Sequence, residues 1–179
     1  MNHADFCNLL LNDRHPHDAL ATPGCPSIYA VFLQPRGLLL PITPGINGLL
    51  FIGATQDGFA ARDHFLAPDS STSDLRRTLG AVLRNHLGLH VGVAGDPPNT
   101  ENYRFIQDGE IILSRWMRAN LLASTIPAEG DLAQLEAQLI AEHQPPLNLA
   151  GWDNPQAAIL QKFRGVCVNH AARASKAAA

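Results

Sequence analysis

The sequence predicts an α/β fold of the α+β kind: a small antiparallel three-stranded sheet flanked by helices. Three observations carry this. Two apolar runs rich in β-branched and aromatic residues stand on either side of a proline- and glycine-rich link, a third such run follows a helical stretch, and the remaining apolar residues recur mostly at helical spacing. With 46% hydrophobic and 16% charged residues, a chain of 179 residues has enough apolar surface to close a core.

Taken in order, residues 4–11 read as a short helix with Phe6, Leu9 and Leu10 on one side, and residues 15–26 as a loop. The first strand is 27–33, bounded by Pro26 and Pro35. Residues 34–48, with three prolines and three glycines, form a loop, and a second strand occupies 49–53. Neighbouring strands with a turn-rich link favour an antiparallel pair. A short helix at 58–65 ends before Pro68. The clearest helix is 71–87, where Leu75, Leu79, Val82 and Leu83 recur at helical spacing behind serine and threonine caps. Residues 91–103 read as a loop around Pro97 and Pro98, 110–120 as a helix and 121–126 as the third strand. A helix at 131–143 stops at Pro145 and Pro146, and a last one, 155–172, starts with Asn154 as cap and Pro155 at its first position. Residues 177–179 read as a frayed tail. Neither a repeat nor a domain boundary is visible.

Composition narrows the function. The formal charge of −3 is a poor global footprint for a nucleic-acid binder, so any phosphate contact has to come from a local arginine cluster. Arg76, Arg77 and Arg84 on the 71–87 helix read as one exposed face, a solvated face or a DNA backbone contact. Cys7, Cys25 and Cys167 are odd in number and contain no CxxC pair, which suggests neither a disulfide framework nor a structural zinc site. With no signal-peptide pattern and no run long enough to span a bilayer, the expected home is the cytoplasm, away from membranes. His15 and His17, like His86 and His90, have pair spacings that metals can use, but no cysteine or carboxylate completes either set. Trp116 and Trp152 read as core or cap residues.

The helix at 131–143 carries the chemistry. Leu132, Leu135, Leu139 and Ile140 form its apolar stripe, and Glu136 lies one turn from both Leu132 and Ile140. Desolvating a carboxylate costs several kcal/mol unless cations or strong donors compensate. A divalent cation would do so, since hard oxygen ligands suit Mg²⁺. A salt bridge to an arginine, or a stem reaching water, would do so equally.

The stretch from Leu135 through Glu136, Pro145 and Pro146 to Asn148 resembles the end of the GIY-YIG nuclease catalytic domain, where a helix carries the metal-binding glutamate and an asparagine follows about twelve residues later. Ser27-Ile-Tyr29 looks like the GIY strand and Phe51-Ile-Gly53 like the YIG strand. Residues 54–62 resemble the turn and helix leading to the catalytic arginine, here Arg62. His64-Phe65 resembles the His-Phe pair of the homing-endonuclease branch. The resemblance runs over about residues 27–148, leaving 1–26 as an N-terminal helix and loop, 27–150 as the catalytic domain and 151–179 as a C-terminal helix packed on it. It departs from the family pattern in three ways: Ser27 replaces the opening glycine, the link between the strands is longer, and Phe51 removes the second motif hydroxyl.

The resemblance implies a DNA endonuclease using Mg²⁺ or Mn²⁺. Glu136 would be the metal ligand, Arg62 would stabilise the phosphoryl transition state, and Tyr29 would be the general base because Phe51 cannot be. His64 would assist the proton work and Asn148 would fix the glutamate helix or the metal's waters. DNA is the expected partner, with a protein partner or second copy supplying extra basic surface. Duller readings stand beside these: a packed strand tyrosine, an Arg62 paired with Asp57 or Asp63, a structural His64. The alternative function is a nuclease-derived binding module that has lost catalysis.

Overall fold

The computed structural model describes every residue except Pro23, Asp63, Pro68, residues 96–98 and Ala179, with the backbone alone for residues 99–101, 177 and 178. Along the chain come α1 (His3–Asn12), β1 (His15–Pro16), β2 (Ser27–Leu33), β3 (Leu49–Thr55), α2 (Asp74–Leu87), β4 (Val91–Ala94) and β5 (Asn99–Phe105). They are followed by α3 (Gln107–Asn120), β6 (Leu121–Pro127), α4 (Leu132–His143) and α5 (Ala157–Ala178). Two compact units result, one built from Met1–Asp63 and Arg118–Pro155, the other from His64–Met117 and Gln156–Ala179.

The first unit is an antiparallel sheet in the order β1-β6-β2-β3. The expected three strands are β6, β2 and β3; the two-residue β1 adds a short outer member. All of β2 is buried, which explains why Ser27–Leu33 reads as a continuous apolar run rather than an alternating one. One sheet face, with Ile28, Ala30, Phe32, Ile52 and Ile126, packs on Phe6 and Leu10 of α1 and on Leu132, Leu139 and Ile140 of α4. Asn2 caps α1 by accepting from the Asp5 N–H, and Asp131 caps α4 by accepting from the Gln134 N–H.

β3 is the outer strand, and unpaired backbone groups along such an edge need partners. The residues after α4 supply them. The Leu147 N–H donates to the Leu50 carbonyl at 2.9 Å, and the Asn148 side chain bonds both backbone groups of Ile52. Trp152 Nε1 donates to the carbonyls of Pro145 and Asn148, which makes it a cap on this segment.

In the second unit, Ser73 caps α2 and Gly88 ends it in the left-handed conformation. The expected loop at 91–103 contains β4 and β5, an antiparallel pair with Val91 opposite Phe105 and Val93 opposite Tyr103. Tyr103 and Phe105 are buried while Arg104 is exposed, a period-two pattern that the polar start of β5 and the prolines before it obscure in the sequence. The prolines themselves, with Pro68 and the final residue of the expected frayed tail, lie outside the described residues. Helix is described through Ala178, beyond the expected end at residue 172.

This unit is organised by a buried ion pair. Arg76 is 0% exposed and donates through Nη2 to Glu110 Oε2 at 2.7 Å and through Nη1 to the His64 carbonyl and Ser114 Oγ. Glu110, 4% exposed, also accepts from the Ser70 N–H and hydroxyl and from the Phe105 N–H. So dense a set of donors satisfies the hydrogen-bonding capacity of a carboxylate placed out of water.

Candidate active site

β2 and β3 set the site's frame. Their register puts Tyr29 opposite Gly53, and Val31 opposite Phe51, so the motif residues of the two strands share a face. The Tyr29 ring lies across Gly53, where a Cβ would collide with the phenol hydroxyl and ring carbon. Only glycine fits under that ring. Phe51 lies 6.2 Å from Tyr29 between ring centroids, and Phe59 meets Tyr29 edge-on at 5.2 Å.

Arg62 reaches the same place through a tight turn. Thr55 Oγ1 donates to the Gly58 carbonyl at 3.0 Å, and Gly58 takes a left-handed φ of 83°, which glycine adopts without strain. A 3-10 turn, Phe59–Arg62, follows. Residues three apart eclipse in this helix, so the exposed Arg62 stands above the buried Phe59, whose ring packs on Tyr29.

Glu136 arrives from α4. Its half-buried carboxylate accepts a hydrogen bond from the Ala54 N–H of β3. Burial pushes the Glu136 carboxyl above the ordinary glutamate range, against the opposing pull of that hydrogen bond and of Arg62. Burial likewise pushes the Tyr29 phenol far up; the Arg62 charge lowers it and the Glu136 charge raises it. Phenol, guanidinium and carboxylate are therefore within electrostatic reach of one another. Asn148 is nearby in the fold but committed to the backbone of Ile52, two residues before the Glu136 anchor at Ala54.

Other expected site residues fall elsewhere. His64 belongs to the second unit, where it is buried and its Nδ1 lies 2.7 Å from Ser73 Oγ, the cap of α2. The expectation that Arg76, Arg77 and Arg84 form one exposed face is corrected for Arg76, which one residue of helical rotation turns wholly inward to Glu110. Arg77 is mostly buried and bonds Asp74 and Asn102. Arg84 is half-buried, with Nη1 3.3 Å from His170 Nε2. Asp63 lies outside the described residues.

Sequence reasoning missed Thr125. It pairs with Tyr29 from the other side of β2, and its buried hydroxyl has no hydrogen-bond partner among the described residues. The signal was available only through the register of β6, which a sequence does not display.

The donor chemistry fits a hard divalent cation. Glu136 offers a carboxylate that burial has left short of compensating charge, with the Ala54 N–H as its backbone donor. Two tyrosines are present in the chain, and Tyr103, in the second unit, donates its hydroxyl to the Arg77 carbonyl. Tyr29 is left as the phenol of this site.

A family model described as the GIY-YIG catalytic domain matches residues 42–165. The matched range holds Phe51, Gly53, Arg62, Glu136 and Asn148. It begins after Tyr29, whose link to the matched part is its pairing with Gly53. No curated protein and no solved structure matches the chain.

Proposed function

The chain belongs to the GIY-YIG family of nuclease-type catalytic domains, and on that footing we propose that it is a divalent-metal-dependent endonuclease hydrolysing phosphodiester bonds in DNA. The observation that carries this reading is the convergence of Tyr29, Arg62 and Glu136, all coupled through charge within one unit.

Phosphodiester hydrolysis needs an activated water, neutralised phosphoryl oxygens and help for the leaving oxygen. Tyr29, ionised with help from the neighbouring Arg62 charge and releasing its own proton to solvent, takes the proton of the attacking water through its phenolate oxygen. Arg62 is exposed enough to receive a phosphate, and its planar fork donates two parallel hydrogen bonds to the phosphoryl oxygens. Glu136 would hold Mg²⁺ or Mn²⁺, and the bound ion would supply charge neutralisation for the phosphoryl group. Asn148 is a positioning residue: by fixing Ile52 it fixes the strand whose Ala54 orients Glu136. His64 acts on structure, through the α2 cap and the carbonyl that receives Arg76. Arg84 is the remaining candidate on α2 for a DNA backbone contact, and a second copy or another protein would add basic surface to a chain of net charge −3.

One observation favours a second reading, a binding module without catalysis. Burial opposes ionisation of Tyr29, and Phe51 offers no hydroxyl in its place. Plasmid and branched-DNA cleavage with Mg²⁺ or Mn²⁺ separates the two. The nuclease reading expects nicking that disappears in Glu136→Ala and Arg62→Ala. Tight DNA binding with no cleavage by the unaltered protein selects the module.

No helix among the described residues is long and apolar enough to cross a membrane.

A further inference from the structure

A second cluster of ligating groups lies in the first unit on residues that the site above does not use. His3 and Cys7 are four apart on α1 and so share one helix face. Glu142 closes the last turn of α4. His3 Nε2 lies 2.8 Å from Glu142 Oε2 and 3.4 Å from Cys7 Sγ, and the three ligand atoms all fall within 4.8 Å of one another. Beside them His143 Nε2 is buried with no hydrogen-bond partner among the described residues, 3.8 Å from Glu142 Oε1. A buried ring nitrogen without a partner calls for an explanation.

The donor set is informative. One thiol, two imidazoles and one carboxylate suit a borderline-soft ion, whereas Mg²⁺ has little use for sulfur or nitrogen. Tetrahedral zinc with ordinary bond lengths separates its ligand atoms by about 3.3–3.7 Å. The His3–Glu142, His3–Cys7 and His143–Glu142 spacings of 2.8, 3.4 and 3.8 Å bracket that range, with His143 joined to the close group of three through Glu142. His3 and Glu142 side chains are each 44% exposed, so both have room to adjust by rotation.

We propose that His3, Cys7, Glu142 and His143 form a Zn²⁺ site that fastens α1 to the end of α4. Binding exchanges the Cys7 thiol proton for the metal, the proton leaving to solvent. With His143 turning in as the fourth donor beside His3, Cys7 and Glu142, the coordination sphere closes, so the site is structural rather than catalytic. It steadies the helix that carries Glu136 without sharing a residue with Tyr29, Arg62 or Glu136.

The test uses the full chain, stripped of metal by a chelator and then titrated with Zn²⁺ and, separately, Co²⁺. The expected result is one equivalent bound, about one proton released per ion, a thiolate-to-Co²⁺ charge-transfer band in the near ultraviolet, tetrahedral visible bands, and a raised melting temperature. Cys7→Ser abolishes the charge-transfer band and weakens Zn²⁺ binding about 100-fold or more; Glu142→Gln and His143→Ala each weaken it at least about tenfold. Should Cys7→Ser fail to fold, His3→Ala removes an exposed ligand instead and gives the same loss of affinity. Glu136→Gln leaves the Zn²⁺ titration unchanged, so failure here is distinguishable from failure of the nuclease reading. Absence of the charge-transfer band, or equal Zn²⁺ affinity in the unaltered chain and both Cys7→Ser and His3→Ala, overturns the proposal and leaves only a hydrogen bond between two helices.

Discussion

Asn148 grips Ile52 at both ends of its amide, Oδ1 accepting from the backbone N–H at 2.9 Å and Nδ2 donating to the carbonyl at 2.8 Å. The amide stands in for a neighbouring strand. Asn148→Ala leaves two backbone groups without partners and is expected to lower unfolding free energy by roughly 1–3 kcal/mol, measured by urea denaturation. Cleavage falls as well. Asn148→Asp performs no better, because its carboxylate cannot donate to the Ile52 carbonyl.

Gly53→Ala drives a methyl group into the Tyr29 phenol. Overpacking of this kind costs about 1–3 kcal/mol of stability. Because the displaced group is the proposed proton acceptor, kcat is expected to fall about 10- to 100-fold, with KM nearly unchanged. Steady-state kinetics on a defined duplex at a temperature well below melting checks the split.

Tyr29→Phe removes only an oxygen. A drop in kcat of about 10²–10⁴ is expected, with the melting temperature retained. Burial keeps the phenol protonated at neutral pH, so the ionised fraction grows with each unit of alkalinity. The rate of the unaltered enzyme should therefore climb nearly tenfold per unit between about pH 6 and 9. A flat profile there counts against Tyr29 as the base.

The sign of the Glu136 effect on stability follows from its raised carboxyl. Burial favours the protonated form, so the group stabilises the fold below the ordinary glutamate range and this contribution is lost as pH rises through its elevated value. Glu136→Gln is expected to raise the melting temperature at neutral pH by about 1–2 °C, a small gain because the half-exposed carboxylate is partly screened. The gain disappears in acid. Added Mg²⁺ stabilises the unaltered protein and not the variant, which differential scanning calorimetry at two pH values resolves.

Removing one partner of the Arg76–Glu110 pair strands the other out of water. Glu110→Ala is expected to cost about 3–5 kcal/mol, whereas Arg76→Met combined with Glu110→Leu recovers much of it. Denaturation curves of the single and double variants test the difference.

The fold was legible where pattern and chemistry agree. β2 was delimited correctly by Pro26 and Pro35, and α4 by Asp131 and the paired prolines. β5 was not, because its first residues, Asn99-Thr-Glu-Asn102, are polar and the paired prolines before it read as a loop in the sequence. Arg76 misled for a related reason: an arginine on an amphipathic helix reads as exposed until its partner, thirty-four residues away, is known. Of the candidate site, the residue types at Tyr29, Arg62 and Glu136 could be named from motif order. What could not be read was the partner each side chain takes, as with Asn148 and Ile52 or His64 and Ser73, since hydrogen bonds across the fold leave no local trace.

Closing the outer side of β3 has a consequence for assembly. The Leu50 carbonyl, both main-chain groups of Ile52 and the Ala54 N–H are already engaged by Leu147, Asn148 and Glu136, so an incoming polypeptide finds fewer groups to zip onto. Strand addition by a second copy, the commonest start of sheet-driven aggregation, is hindered along this border by the same contacts that hold the Glu136 carboxylate in place.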